Sequence, residues 1–174
     1  MDAGTRRNLA NLVMFQTGWF LCVLFPGIAT AFVGFGIVLA HLCTLSRRPR
    51  EEFRFILVGT LLGTLLDGLW FQIGVMQDPG SQVQWTPFWL VAIWALFMTT
   101  LSHSMAWLGQ SRWLPWALAP LAGPFAYWSA SKLGAVSLPD LSLSLPALAA
   151  GWLVLFPSLL ALRKRFFPAL AVAA

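Results

Sequence analysis

The chain has 174 residues, of which 59% are hydrophobic and 10% are charged, and its formal net charge is +5. A soluble domain of this size has about 45–50% apolar and about 25% charged residues, because it must cover its surface with polar groups. The mean hydropathy is +0.75. These values exclude a soluble enzyme, a nucleic-acid-binding protein and a disulfide scaffold, and they predict an integral membrane protein.

Six apolar runs follow one another along the chain, and together they form a single domain, 1–174. A spanning helix needs about 20 residues, and no run alternates as a membrane β-strand would. Proline and glycine lie between most runs, where they end helices. The sequence therefore predicts an all-α bundle of six transmembrane helices, over about 8–25, 28–46, 53–77, 88–109, 113–137 and 147–167.

The basic residues predict the orientation of the bundle. Ten of the eleven fall on one side of the six predicted helices, and Lys132 is the exception. The opposite connections contain Asp78 and Asp140. By the positive-inside rule both termini are cytoplasmic, and we expect a multi-pass membrane protein.

Ionisable residues within the spans are the first candidates for a site, because they are costly in lipid and face protein or a cavity. Asp67 shares a helix face with Gly59 and Gly63 at i, i+4 and i+8, and such small residues let another helix approach. We therefore expect Asp67 to point into the bundle. His103 lies in a polar stretch of the fourth run, about 7–9 Å from its cytoplasmic end at 1.5 Å per residue. Asp67 lies deeper, so the two residues belong to separate layers.

Asp67 and His103 are the candidate proton-transfer groups, since each can change its protonation state. Gln16, Trp70, Tyr127 and Lys132 are the candidate ligand-binding residues. Lys132 either extends to the interface or pairs with Asp67 or a lipid phosphate.

Metal and cofactor motifs are weak in this sequence. His41-Leu42-Cys43 is too small a ligand set for a metal, and no metal site is predicted. His41 and His103 lie at matching depth, as the axial ligands of a haem would, but two histidines in six helices do not by themselves predict haem. We therefore expect no cofactor.

Several short motifs together resemble the bacterial inner-membrane family known as domain of unknown function 2878. They are Phe15-Gln16-x-x-Trp19-Phe20, Leu66-Asp67-x-x-Trp70, Pro87-x-Trp89, His103-Ser104-x-x-Trp107-Leu108, and Gly123-Pro124-x-Ala126-Tyr127 followed by Lys132-Leu133-Gly134-Ala135. Ser102 departs from the asparagine expected before the His-Ser pair. The resemblance covers nearly the whole chain. The resemblance implies a multi-pass protein of the bacterial inner membrane with the same candidate residues, but it implies no reaction. It favours lipid chemistry by association only.

Three functions remain open at this point. The first is a protein that binds or modifies a membrane lipid in an intramembrane cavity, and the sequence leaves open whether it is an enzyme. The second is a proton-coupled transporter or small-solute channel with Asp67 as the carrier. The third is a non-catalytic subunit for a membrane partner or a second copy of the chain. None of them involves nucleic acid.

Overall fold

The computed structural model describes residues 2–80 and 84–171, with the backbone alone at Ala171. Seven α-helices and one 3₁₀ helix account for most of this part of the chain, and no β-strand occurs in it. The helices are α1 (Ala3–Leu24), α2 (Ile28–Thr44), α3 (Pro49–Gln72), α4 (Phe88–Thr100), α5 (Leu114–Lys132), α6 (Leu141–Phe166) and α7 (Pro168–Ala171); the 3₁₀ helix is Ala106–Gln110.

Each of the six apolar runs contains one α-helix; the second and fourth begin where predicted, at Ile28 and Phe88, and the other four begin elsewhere. α3 begins at Pro49 rather than 53, because proline fits the first turn, where its missing N–H is not needed. α6 begins at Leu141 rather than 147, and the Asp140 side chain caps it by accepting from the Ser142 N–H at 2.9 Å. Hydrogen bonds from Ser142 hold the pKa of the Asp140 carboxyl below its usual value.

The third and fifth runs end in the same way, and both helices stop five residues before their predicted ends. A glycine with positive φ follows each helix, Gly74 at 78° and Gly134 at 84°. This left-handed conformation ends helices and favours glycine. The two chain ends then meet in an isolated antiparallel bridge between Gln77 and Ser137, with N···O distances of 2.9 and 2.8 Å.

The fourth run does not form one helix over 88–109, as was predicted. α4 ends at Thr100, residues 101–105 form turns, and the 3₁₀ helix follows. Thr99 and Thr100 donate their hydroxyls to carbonyls three residues earlier, at 2.7 and 2.6 Å, a local bond that competes with helix continuation. The Arg163 guanidinium donates to the Leu101 carbonyl and, at 3.4 Å, to that of Ala106. Arg163 therefore supplies hydrogen-bond donors for two of the backbone carbonyls at the break.

α4 is the central helix of the bundle, with ten of its 13 residues buried. It packs against α1, α2 and α3, whereas α5 packs mainly against α6, and α6 also contacts α3. α1 also packs against α2. α1 and α5 therefore pack against different helices, α1 against α2 and α4, and α5 against α6.

α3 is apolar outside and polar inside, the reverse of a helix on a soluble protein. Its buried face carries Glu52, Thr60 and Asp67. Its exposed stripe consists of Phe53, Leu57, Leu61, Leu65 and Leu69, each four residues from the next. Such a continuous exposed apolar face indicates an apolar environment.

Two helices are both long and apolar enough to cross a membrane, Pro49–Gln72 and Leu141–Phe166. Ile28–Thr44 and Phe88–Thr100 are apolar but shorter. The described chain is thus all-helical with apolar segments suited to a membrane, and two of these have full spanning length.

The face of α3 that carries Gly59 and Gly63 packs against another helix, as predicted, but the contact is made by side chains rather than by close approach of two backbones. A Cβ at Gly59 would lie 2.1 Å from Cε of Met98, and one at Gly63 would lie 2.1 Å from Cδ2 of Trp94. Side chains of α4, rather than its backbone, therefore fill the space above these glycines.

Gly63→Ala is expected to destabilise the protein, because the new methyl group overlaps the Trp94 ring. The cost of overpacking is about 1–3 kcal/mol in free energy of unfolding. Gly36→Ala is the matched control, since Gly36 is an exposed helical glycine whose added Cβ meets no atom within 4 Å. We expect the control to be neutral or more stable by up to about 1 kcal/mol. Thermal unfolding in detergent measures both, and equal stabilities of the two variants would contradict this packing.

Candidate functional site

Asp67 lies fully inside the bundle, where it accepts hydrogen bonds from two aromatic side chains. The Trp94 indole N–H donates to Oδ2 at 2.7 Å, and the Tyr127 hydroxyl lies 2.7 Å from Oδ1 and 2.9 Å from Oδ2. All three residues are at most 6% exposed. The expectation that Asp67 points into the bundle is confirmed.

The matching ends of α3 and α5 explain why Asp67 meets Tyr127. Each residue stands seven positions before its helix-ending glycine, Gly74 or Gly134. Because the two ends are joined by the Gln77–Ser137 bridge, seven residues at 1.5 Å place both side chains about 10 Å from the same level. Gly63 admits the Trp94 ring on the same face, which completes the cluster.

A second polar cluster lies near the other end of α3. The Nε2 atoms of His41 and His103 lie 2.9 and 3.0 Å from the same oxygen of Glu52, Oε1. His41 and Glu52 are each 1% exposed and His103 is 6% exposed. The histidine rings are in edge-to-face contact, with centroids 4.7 Å apart. Three segments of the chain, α2, α3 and the turn after α4, therefore converge on one carboxylate.

Asn11 of α1 fixes the position of this second cluster. Its Oδ1 accepts from the backbone N–H of Ser104 at 3.2 Å and from the Ser104 hydroxyl at 2.6 Å. Its Nδ2 donates to Thr99 at 2.9 Å and lies 3.4 Å from Nδ1 of His41. Because a backbone N–H identifies Oδ1 as the acceptor, the amide group presents a donor to His41.

A groove of about 640 Å³ runs along the bundle between α1 and α5, with α4 and α6 as its floor. Its walls are almost entirely apolar and strongly aromatic. Phe20 of α1 and Phe125 of α5 line it and are themselves exposed, so the groove is open to the side. The aromatic floor and inner walls include Phe15, Trp19, Trp89, Trp94, Phe97 and Trp152.

The candidate residues from the sequence lie in four places. Gln16 and Tyr127 line the groove, and Tyr127 links it to Asp67 behind the wall. His103 belongs to the Glu52 cluster, so the prediction that Asp67 and His103 occupy separate layers is confirmed. Trp70 lies instead between α3 and α6, against Gly151. Lys132 is exposed, with its Nζ 5.7 Å from the centre of the Trp128 ring, and it does not pair with Asp67.

Four residues of these sites were not predicted: Asn11, Glu52, Trp94 and Arg163. Glu52 was missed because the third helix was expected to begin at 53, which left Glu52 outside the membrane. Asn11 lies three residues inside the first predicted run, 8–25, where its polar amide could have marked it as a candidate. Arg163 was counted as a charge at the end of the sixth run, yet it is only 6% exposed.

The fold and these clusters define a helical protein with an apolar exterior, buried polar pairs and a lateral apolar groove. The sequence matches the family described as "Protein of unknown function (DUF2878)" over residues 8–158. The chain belongs to that family, as the motifs had indicated. No curated protein and no solved structure is significantly similar to it.

Asp67→Ala is expected to lower the free energy of unfolding by about 2–6 kcal/mol. The change leaves both the Trp94 N–H and the Tyr127 hydroxyl without an acceptor, at about 1–3 kcal/mol for each buried unpaired group. Asp67→Asn is the control, since its amide oxygen still accepts from Trp94 and its NH₂ donates to the Tyr127 hydroxyl. Chemical denaturation in detergent measures both. If Asp67→Ala and Asp67→Asn lower the free energy of unfolding equally, the hydrogen bonds to Trp94 and Tyr127 do not stabilise the protein as proposed.

Proposed function

We propose that this protein is a six-helix protein of the bacterial inner membrane that binds a phospholipid, with one acyl chain in the groove between α1 and α5. Both termini are cytoplasmic in this proposal. The lateral, apolar groove is the observation that carries it.

The six-helix arrangement is supported by helix lengths and by the positions of charge. α1, α3, α5 and α6 have 19 to 26 residues, or about 29–39 Å at 1.5 Å per residue, against a hydrocarbon core of about 30 Å. α2 is shorter, and α4 has only 13 residues. The turn and the 3₁₀ helix after α4 complete its crossing, and a broken helix is tolerated at that depth where protein surrounds it.

The groove suits an acyl chain better than a polar solute. Pockets of about 300–1,000 Å³ hold small ligands, and this one offers very few polar atoms along its length. Its α5 wall runs from Leu118 to Ala130, which at 1.5 Å per residue is about 18 Å, more than half of a hydrocarbon core of about 30 Å. Because it opens between two helices that face lipid in this proposal, a bilayer chain reaches it without crossing water.

Lys132 supplies the charge that favours a phospholipid. It is exposed and stands between the groove-lining residues Ser129 and Leu133. Among the described residues it pairs with no carboxylate, and its Nζ lies over Trp128. An ammonium group at the outer end of an apolar groove suits a lipid phosphate, and indole and lysine both favour the membrane interface.

A proton carrier at Asp67 has less support. Asp67 does not line the groove, and both of its oxygens are already occupied by Trp94 and Tyr127. Its contacts are those of a side chain that joins α3, α4 and α5.

Native mass spectrometry of the protein, released from detergent after addition of phosphatidylglycerol, tests lipid binding. The wild type is expected to retain one lipid per chain. Ala126→Trp is expected to weaken retention at least about tenfold, because the indole fills the groove at a lining position. An indole is large enough to displace most of the contacts of a bound chain.

Ala40→Trp is the matched control, since Ala40 is exposed on α2 and outside the groove. It is expected to retain lipid as the wild type does. Equal retention by Ala126→Trp, with its fold intact, would overturn the groove as the binding site.

A further inference from the structure

We propose that His41, Glu52 and His103 form a site for one divalent transition-metal ion of the zinc class. The three side chains come from α2, from α3 and from the turn after α4, and they are the group of His, Cys, Asp and Glu side chains in the described chain whose ligand atoms could hold a metal. None of them lines the groove, so this inference does not depend on lipid binding.

The distances suit shared coordination. All three ligand atoms lie within 4.8 Å of one another, and each Nε2 is 2.9 or 3.0 Å from Oε1 of Glu52. A metal ion binds imidazole nitrogen and carboxylate oxygen at about 2.0–2.2 Å, so neighbouring ligand atoms lie about 3.0–3.4 Å apart. The two N···O distances nearly match this spacing, whereas the two imidazole nitrogens, which lie within 4.8 Å of each other, would have to approach by up to about 1.5 Å to share one ion.

The ligand set suits a transition metal rather than Mg²⁺ or Ca²⁺. Imidazole binds zinc, iron, nickel and copper, whereas magnesium and calcium prefer oxygen ligands alone. Two histidines and one carboxylate also leave at least one coordination position open, as in catalytic rather than structural metal sites.

The negative charge of the buried Glu52 carboxylate favours a cation at this site. Glu52 is 1% exposed, and no lysine or arginine of the described chain pairs with it; its ionic partners are the two histidines. An ionised buried carboxylate needs a compensating positive charge. A divalent ion supplies that charge while both imidazoles remain neutral, as metal ligation requires.

Asn11 gives the proposal a distinctive consequence. In the metal-free arrangement its Nδ2 lies 3.4 Å from Nδ1 of His41, which places the His41 proton on Nε2. Metal binding through Nε2 moves that proton to Nδ1, and the ring then needs an acceptor. The Asn11 amide presents a donor there while its Oδ1 is held by the Ser104 N–H, whereas the second carboxylate oxygen of an aspartate would face Nδ1 of His41; Asn11→Asp is therefore expected to tighten metal binding.

The test uses the full chain, purified without chelator, and Zn²⁺ as the probe. We expect about one zinc per chain by inductively coupled plasma mass spectrometry. After removal of metal, competition with a chromophoric chelator measures Zn²⁺ affinity. Glu52→Gln is expected to weaken it more than a hundredfold, beyond the 10–100-fold typical of an outer-shell partner. Glu51→Gln is the control, because Glu51 is the adjacent residue and lies 3.7 Å from Arg54 rather than in the cluster; it should leave affinity unchanged.

Co²⁺ absorption by the metal-free wild type provides a readout that needs no variant. Visible d–d bands with one equivalent of Co²⁺ are expected, and their loss on addition of Zn²⁺ would show a shared site. Absence of these bands, or equal Zn²⁺ affinity for Glu52→Gln and Glu51→Gln, would overturn the proposal. The cluster would then be a hydrogen-bonded group that joins α2, α3 and α4.

Discussion

A buried carboxylate in this bundle needs a partner inside it, and this constraint determines how the helices are joined. α3 shows it most clearly, since its outer stripe is leucine and phenylalanine while Glu52 and Asp67 face inward. An unpaired polar group in an apolar environment costs several kcal/mol. Each carboxylate is therefore met by donors from other elements: Asp67 by Trp94 and Tyr127, and Glu52 by two histidines. The helices are joined at these two levels, and apolar packing fills the space between them.

The break in α4 follows from the same constraint. Helix ends leave carbonyls without partners, and at this depth they need protein donors. Arg163 provides them through its contacts with the carbonyls of Leu101 and Ala106. The turn that results carries His103 toward Glu52 and Ser104 toward Asn11. A continuous helix through this region would place the two side chains differently, so the break and the inner cluster form one structural unit.

The helical class, the presence of an α-helix in each of the six apolar runs, the inward direction of Asp67 and the family could be predicted from the sequence. Apolar runs, helix periodicity and the cost of a charge in an apolar run were sufficient for the first three, and the short motifs indicated the family. The cluster around Glu52 could not be predicted, because it depended on a helix start four residues earlier, at Pro49, and on a break in α4 that Arg163 stabilises from a distant helix. The groove could not be predicted either. It exists because α1 packs against α2 and α4 while α5 packs against α6, and these pairings are determined by three-dimensional packing.

We propose that the exposed leucine stripe of α3 and the groove both contact lipid, while the clusters around Asp67 and Glu52 do not. Photolabelling in liposomes with a phospholipid that carries a diazirine on its acyl chain tests this most directly, with labelled residues mapped by mass spectrometry. We expect labelling of Leu57 and Leu61 in proportion to bulk lipid, and labelling of Phe20 and Phe125 that excess unlabelled phospholipid competes away. Labelling of Asn11 or Asp67, or no competition at the groove, would contradict it.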